Sequence, residues 1–582
     1  MLNMKKISPL LLVIVSGLLL FAGWSPSPFT FLVFIAFVPL LWLEREIAGR
    51  GKFLALTYLT LLAWNLVTTW WVCNSTLVGG IAAILANSLL MCIPWIGFRN
   101  VKKRMGAKIG YPALVVFWLC FEYIHLNWEL SWPWLTLGNS FASRPDWVQW
   151  YEFTGTSGGS LWILTINILA FRCLFPSTGN RRTPAVWLAA LLIIPLAFSW
   201  SLKPSETGTL APADSTTGAA VNSAVAGRSY NVVIVQPNID PWDEKFVAGK
   251  QETQLQKLIQ LSESRIDNNT SLVVWPETAV PVAINEDEMK SNYFMAPVWD
   301  FLRKHPSINL LTGVEGFRIY NQQNKTPYST RIPESDKYAE TYNSAVLMDS
   351  GSFQVYHKSR LVPGVEVLPS FLRFMTPLFE KFGGTSSGYA RQTERTVLNC
   401  TNHSFHIAPA VCYESIYGEF MTAYIRNGAD LIAVITNDGW WGNTAGYRQH
   451  ENYARLRAIE TRRWLVRSAN TGVSCFIDPS GKIIDPQPWD KTAVTKMKVP
   501  ARNTMTFYTR NGDIISRVAV AATILLVLWG LVLLIRKRSA KQPGPARQPG
   551  PAKQPGPARQ SGQPGSASLP RSAGPKNSGS HG

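Results

Sequence analysis

Charge is scarce in this sequence. Asp, Glu, Lys and Arg make up only 16% of its 582 residues, where globular proteins average about 25%. With 47% hydrophobic residues, 23 Trp and 27 Phe, that shortage excludes both a chain disordered throughout and a single compact water-soluble domain. Acids are scarcer still, 37 against 56 Lys and Arg, for a formal net charge of +19. Nine of those basic residues lie in 536–582, which holds no acid. No folded stretch is left with a continuous basic face, which weakens a nucleic-acid reading, and no nucleic-acid partner is expected. The seven cysteines include no CxxC pair, so neither a disulfide scaffold nor a zinc site is implied, and no metal is expected.

Uncharged runs are long. Residues 7–43 carry no charge and break at Trp24-Ser-Pro-Ser-Pro28; residues 53–98 carry none and break at Cys73-Asn-Ser-Thr76. Each run reads as two membrane spans, because about 20 helical residues cross a bilayer core. Further spans are expected over 109–126, 158–171, 184–200 and 518–535, eight in all. The first run passes into the second without a small-residue cleavage site, so it is expected to stay rather than act as a removed signal.

The basic residues fall in alternate connections: Lys5 and Lys6; Arg45, Arg50 and Lys52; Arg99 to Lys108; Arg172, Arg181 and Arg182; Arg536 to Arg538. Positive charge stays inside. Both termini are then cytoplasmic and the long segment near 201–514 lies outside, in the periplasm of a bacterial inner membrane. The Trp-rich connection 127–157 is also outside and is expected in the headgroup layer.

The resulting organisation is a seven-span domain (1–200), a disordered Ser/Thr/Ala/Gly spacer (201–229), an external domain (230–514), an eighth span (515–536) and a cytoplasmic Pro/Gly/basic tail (537–582) with QPGPA[RK] repeats. In the external domain, short apolar runs at 231–237, 271–277, 308–316, 344–349, 405–414, 429–438 and 473–484 read as buried strands. Helical patterns over 247–265, 416–427 and 449–465 alternate with some of them, giving an α/β layered fold.

Three polar residues stand at or near strand ends. Glu277 closes a run after a Pro, where α/β sheets place their sites; on position alone a solvated loop acid is equally good. Lys358 lies in "VYHKSRLVPGVEVLP", and read alone it is a surface lysine. Cys412 ends "APAVCYES", where a helix start stabilises a thiolate, although most free cysteines are buried hydrophobes. His403 and His406 lack a third ligand in view. The arginines at 455, 457, 462, 463 and 467 fit intradomain salt bridges better than a lipid headgroup site. Glu122 and His125, near the end of the fifth span, are either functional or snorkelling groups.

In the order Glu, Lys, Cys, each within its own motif, these residues resemble the catalytic triad of the nitrilase (carbon-nitrogen hydrolase) superfamily. With seven spans before the domain and one after, the chain resembles the apolipoprotein N-acyltransferase family over 7 to about 536, spacer excepted. "VVIVQPNIDPWDEKF", "RLVP" with Glu366, "CYES", "TNDGWWGNTAGYRQH" and Pro133-Trp134-Leu135 are further matches. "PGVE" departs from the commoner Phe-Gly-Glu, and "NDGWWG" from Asn-Asp-Ser-Trp, which bears on the acyl pocket more than on the reaction.

The resemblance implies a nitrilase-like αββα sandwich and an acyltransferase without cofactor, ATP or metal. Glu277 would be the general base; Lys358 and the Tyr413 amide would hold the oxyanion; Glu366, Tyr413 and Glu414 would support them. Cys412 would take an acyl chain from a membrane phospholipid as a thioester and pass it to the N-terminal amine of a diacylglyceryl-apolipoprotein, with the enzyme acting as a monomer. The rival readings are a membrane-tethered amidase or nitrilase and, further off, a transporter or scaffold with a dead nitrilase domain. Whether Cys400 and Cys475 pair stays open.

Overall fold

In the computed structural model the described residues are 7–176, 181–203, 228–376 and 388–539, with the isolated residues 550, 554 and 556. Most of the expected spacer and nearly all of the tail beyond 539 therefore lie outside the described residues.

Six described helices are long and apolar enough to cross a membrane: Arg50–Asn74, Leu77–Met105, Ala107–Leu126, Tyr151–Leu174, Arg182–Ser201 and Ile514–Arg536. The expected first pair is different. Its first member is a 14-residue helix, Pro9–Ala22, about 21 Å long at 1.5 Å per residue. The second is a turn of 3-10 helix, Thr30–Phe34, followed by the short helix Val38–Glu46. Pro39 stands at the start of that helix, where its missing N–H costs nothing. Asn167 fastens this break, accepting from the Phe37 amide at 2.7 Å and donating to the Val33 carbonyl at 2.8 Å.

The α/β part holds two sheets. The first contains β1 (Ser229–Gln236), β2 (Thr270–Val274), β3 (Val280–Asn285), β4 (Asn309–Tyr320), β5 (Thr330–Arg331), β6 (Tyr338–Met348) and β7 (Phe353–His357). The second contains β8 (Leu398–Cys400), β9 (Phe405–Val411), β10 (Leu431–Thr436), β11 (Leu465–Ala469), β12 (Cys475–Ile477) and β13 (Ile483–Ile484); β14 (Ala493–Pro500) returns to the first. Orders are β14-β1-β2-β4-β6-β5, with β3 beside β4 and β7 beside β6, and β13-β12-β11-β10-β9-β8. β1, β2 and β4 run parallel, as do β9, β10 and β11. Parallel strands buried on both faces need continuous apolar sequence, and VVIV, SLVV and LIAVI supply it.

Alternation along β1 sets the layers. Val233 and Val235 pack with Leu255, Leu258 and Phe301 of helices Gln251–Glu263 and Ala296–Lys304. Val232 and Ile234 face the other way, into a core shared with Ile407 and Ile432 of the second sheet. Helices Gly418–Arg426 and Ala445–Thr461 add side chains to that second core, which gives α-β-β-α layering. Cys400 and Cys475 are both free, in β8 and β12. Four strand spacings of about 4.8 Å separate those strands, too far for a disulfide.

The same core continues into the apolar helices, from Leu12 and Trp64 through Trp134 to Ile477. The connection 127–157 forms this joint, and most of its aromatic rings are packed inside the protein. Trp134, Leu137, Phe141, Val148 and Trp150 are buried, and only Trp128 among the tryptophans of the segment reaches substantial exposure. The reason is that the α/β layers cover it: the Trp134 ring lies 6.0 Å from both His450 and Tyr453 of helix Ala445–Thr461.

Candidate active site

Glu277 follows β2 on a turn wedged against β4. The turn fits because residue 313 is glycine: a Cβ there would stand 2.4 Å from the Thr278 nitrogen and 2.6 Å from the Glu277 Cα. Thr278 itself has φ of 45°, a costly conformation for a β-branched residue. Lys245 fastens the turn, its ammonium donating to the Glu277 carbonyl at 3.1 Å and to the Thr278 hydroxyl at 2.6 Å. Burial pulls the Lys245 ammonium down to about 8, against the attraction of Glu277 and Glu315.

Lys358 leaves the end of β7 fully buried. Its Nζ donates to Glu366 Oε1 at 2.7 Å and to Glu277 Oε1 at 3.3 Å. Burial opposes its charge, yet Glu366 and Glu277 together hold the ammonium well above the ordinary lysine range. Asn343 of β6 donates to the same two carboxylates, at 2.8 Å to Glu277 and 3.0 Å to Glu366. Glu277 Oε2 accepts from the Asn437 amide at 3.1 Å.

Cys412 stands where β9 breaks into a 3-10 turn, with φ of 51°. Burial pushes its thiol up, Glu277 adds to that, and Lys358 opposes it. The thiol is therefore protonated at rest and needs a base to react. Glu414 ties this turn to the Lys358 loop. Its Oε2 accepts from the Val411 amide at 2.8 Å, and its Oε1 from Tyr356 at 2.6 Å, the Ser359 amide at 2.7 Å and the Arg360 amide at 3.1 Å. On the other side His450 Nε2 lies 3.0 Å from the Cys412 carbonyl, while His450 Nδ1 and Arg467 engage Asp438 at 2.9 and 2.6 Å. Despite burial, Arg467 and His450 hold the Asp438 carboxyl down at about 2.

The structure thus brings Glu277, Lys358, Glu366 and Cys412 to one buried place, with Glu414 bridging the Lys358 and Cys412 segments. Tyr413 reaches the other way: its hydroxyl donates to the Ser131 carbonyl at 2.8 Å, and Ser131 Oγ bonds the Tyr417 hydroxyl at 2.7 Å. Ser131 follows the apolar helix Ala107–Leu126, so the site lies at the joint between α/β layers and candidate spans.

The remaining sequence candidates lie elsewhere. His403 bonds the Ser307 carbonyl and His406 bonds Asp430. Glu122 accepts from the Leu137 amide at 2.7 Å and Trp118 at 2.9 Å, and His125 bonds Asn87 and Trp128; both are buried fasteners rather than snorkelling groups. Arg457 pairs with Glu460, Arg462 with Glu152 and Arg467 with Asp438. Arg455 and Arg463 bond backbone carbonyls of Gly481 and Ala429.

Sequence reasoning missed Lys245, Asn343, Asn437, Asp438 and His450. The last three lie in the quoted 436–450 motif; Asn343 immediately precedes the 344–349 run, and Lys245 lies in the "DPWDEKF" match. The signal was there as motif, without a geometry to assign roles.

The carbon-nitrogen hydrolase family model matches residues 231–504, and the apolipoprotein N-acyltransferase N-terminal domain model matches 16–169. An apolipoprotein N-acyltransferase of Chlorobaculum tepidum is 32% identical over 550 residues, 91% of this chain and 97% of that protein. One of Azotobacter vinelandii is 30% identical over 475 residues, 80% of this chain and 81% of that protein. Among solved structures, Saccharomyces cerevisiae Nit3, a member of branch 10 of the nitrilase superfamily, covers 49% of this chain and 95% of its own at 15% identity, with a TM-score of 0.33. By relatedness along nearly its whole length, this chain belongs to the apolipoprotein N-acyltransferase family.

Proposed function

We propose that the protein transfers an acyl chain from a membrane phospholipid to the N-terminal α-amine of a diacylglyceryl-cysteine in apolipoproteins, through a thioester on Cys412. The observation that carries this reading is the place of the thiol, beside a carboxylate and an ammonium and tied through Tyr413 to the segment following an apolar helix. Glu277 takes the Cys412 proton as the sulfur attacks the ester carbonyl. The oxyanion forms between the Lys358 ammonium and the Tyr413 amide. The C–O bond breaks, and the proton held by Glu277 goes to the departing alkoxide, giving a lysophospholipid and acyl-Cys412. In the second half the amine attacks the thioester, Glu277 removes its proton, and the thiol leaves.

Lys358 cannot fill its role without a counterweight, because a buried ammonium facing one carboxylate would hold Glu277 as an ion pair. Glu366 takes the shorter contact with Lys358, which leaves Glu277 accessible to the thiol. Basic residues in alternate connections support a periplasmic site, cytoplasmic termini and eight crossings, of which the first two are short or broken helices. We place the external domain at 230–514, and the chain works as a monomer.

A tethered amidase would use the same residues with water as acceptor. It would have no use for a core continuous with apolar helices or for Tyr413 bonded to Ser131. Intact-mass measurement after incubation with phospholipid tests the difference: an added fatty acyl group lost in Cys412→Ala is expected, and a wild-type mass unchanged by any phospholipid would overturn the reading.

A further inference from the structure

The five arginines of 455–467 are used inside the fold, so the negative charge of a phospholipid headgroup must be met elsewhere. Arg360 and Arg395 are free to meet it. Arg360 follows Lys358 by two residues, and its own amide donates to Glu414 at 3.1 Å, so it is fixed to the nucleophile turn. Its guanidinium donates to Asn127 Oδ1 at 3.0 Å and to the Leu126 carbonyl at 3.4 Å, which places it at the end of helix Ala107–Leu126. The Arg360 Cζ lies 5.2 Å from the Tyr417 ring centre and 5.8 Å from that of Phe420. Arg395 lies over the same Phe420 ring at 4.2 Å, and its Nη1 donates to the Thr393 carbonyl.

Among the described residues neither arginine forms an ion pair with a carboxylate, and the Nε of each is buried without a hydrogen-bond partner. Glu414 attracts Arg360 only at a distance, since its oxygens already accept from three backbone amides and Tyr356. Burial lowers the Arg360 proton affinity, and Arg395 repels it further. Two half-buried cations share one ring, with no carboxylate within ion-pairing distance of either among the described residues, so an anion would be favoured there. A 20-residue apolar helix spans about 30 Å, so its end sits at the level of lipid headgroups. The anion at that level is phosphate.

We propose that Arg360, reinforced by Arg395, binds the phosphodiester of the acyl-donor phospholipid and so holds one of its esters in reach of Cys412. This rests on the acyl-transfer reading above. The guanidinium fork suits a phosphate oxygen pair better than an ammonium would. The headgroup beyond the phosphate is left unread by these two residues, so choline, ethanolamine and glycerol lipids are all accepted.

The full-length protein, Arg360→Gln, Arg395→Gln and the double variant are each given phosphatidylglycerol or diacylglycerol in the same detergent, and acylation of Cys412 is timed by intact mass. Diacylglycerol carries the same esters without phosphate. The wild type should prefer the phospholipid, and the double variant should lose that preference by about tenfold, the scale of one charge-assisted contact. Arg395→Gln, whose side chain bonds only one carbonyl, should show part of the loss even where Arg360→Gln does not fold. An unchanged preference in the folded Arg395→Gln and double variants would overturn the inference alone. Failure of every phospholipid to acylate the wild type would overturn the acyl-transfer reading and this inference with it. Diacylglycerol reacting as fast as phospholipid once inorganic phosphate is added would assign the pair to the free ion and contradict the lipid assignment.

Discussion

Cys412 is held in a left-handed backbone conformation, and burial, helped by Glu277 and opposed by Lys358, keeps its proton on. A thiol pushed upward in this way contrasts with cysteines activated by lowered affinity for the proton, and in the proposed mechanism it makes Glu277 indispensable to the first step. Glu277→Gln and Cys412→Ala should each lower acyl-enzyme formation by about a thousandfold or more, with unchanged circular dichroism. Cys412→Ser should be nearly as inactive, because a hydroxyl is a weak nucleophile at neutral pH. The pH dependence has a definite sign: the raised thiol ionises as pH rises, so alkylation of Cys412 by a small methanethiosulfonate should accelerate continuously through about pH 7 to 9, around and above the ordinary cysteine value near 8.5. A rate already at its plateau at pH 7 would show a lowered thiol and contradict the assigned role of Glu277. These three residues were legible in the sequence only as a set, since an isolated Glu, Lys or Cys at a strand end has a bland explanation. Asn343 and Lys245 were not legible, because their importance lies in which atoms they touch across 66 and 32 positions.

At the scale of elements, the chemistry we propose rests on two strained turns, one at Glu277-Thr278 and one at Cys412, and neighbouring elements pin each. Gly313→Ala would drive a methyl group into the Glu277 turn. Loss of most acylation is expected, with a stability cost of about 1 to 3 kcal/mol from overpacking, readable as a lowered melting temperature. Glu414→Gln keeps the shape but turns an NH2 group toward donors that need an acceptor. Each lost charged hydrogen bond costs roughly 1.5 to 3 kcal/mol, and acylation should slow at least tenfold as the Lys358 and Cys412 segments separate. Wild-type melting and rate in Glu414→Gln would count against its bridging role. Strands rich in Val and Ile were readable because burial on both faces demands them. β11 was hidden: "LVRSA" extends a helical pattern. The helix instead ends at Arg462, which is left-handed and bonded to Gln149, Glu152 and the Pro479 carbonyl, contacts that no local pattern reveals.

For the whole molecule, the consequential feature is one core running from apolar helices into α/β layers. It was not legible, because aromatic residues between spans read equally as membrane anchors or as packing. The broken helix at 30–46 was hidden for the same reason, apolarity being uniform across it. The orientation we propose rests on the loop charges, and single cysteines at Asn443 and Gly106 in an otherwise cysteine-free surface background test it. A membrane-impermeant maleimide applied to spheroplasts should label the first and not the second; the reverse pattern would invert the topology.

A shared core also predicts that water is a poor acceptor, since a thioester under the 127–157 joint and the loop after Lys358 is shielded from bulk solvent. The direct measurement is the stoichiometry of lysophospholipid released by purified protein given phospholipid alone. About one equivalent per enzyme should appear and then stop, resuming when a diacylglyceryl peptide with a free N-terminal amine is added and staying stopped when that amine is acetylated. Continuous release of lysophospholipid and free fatty acid without any amine would show a lipid hydrolase and contradict the account.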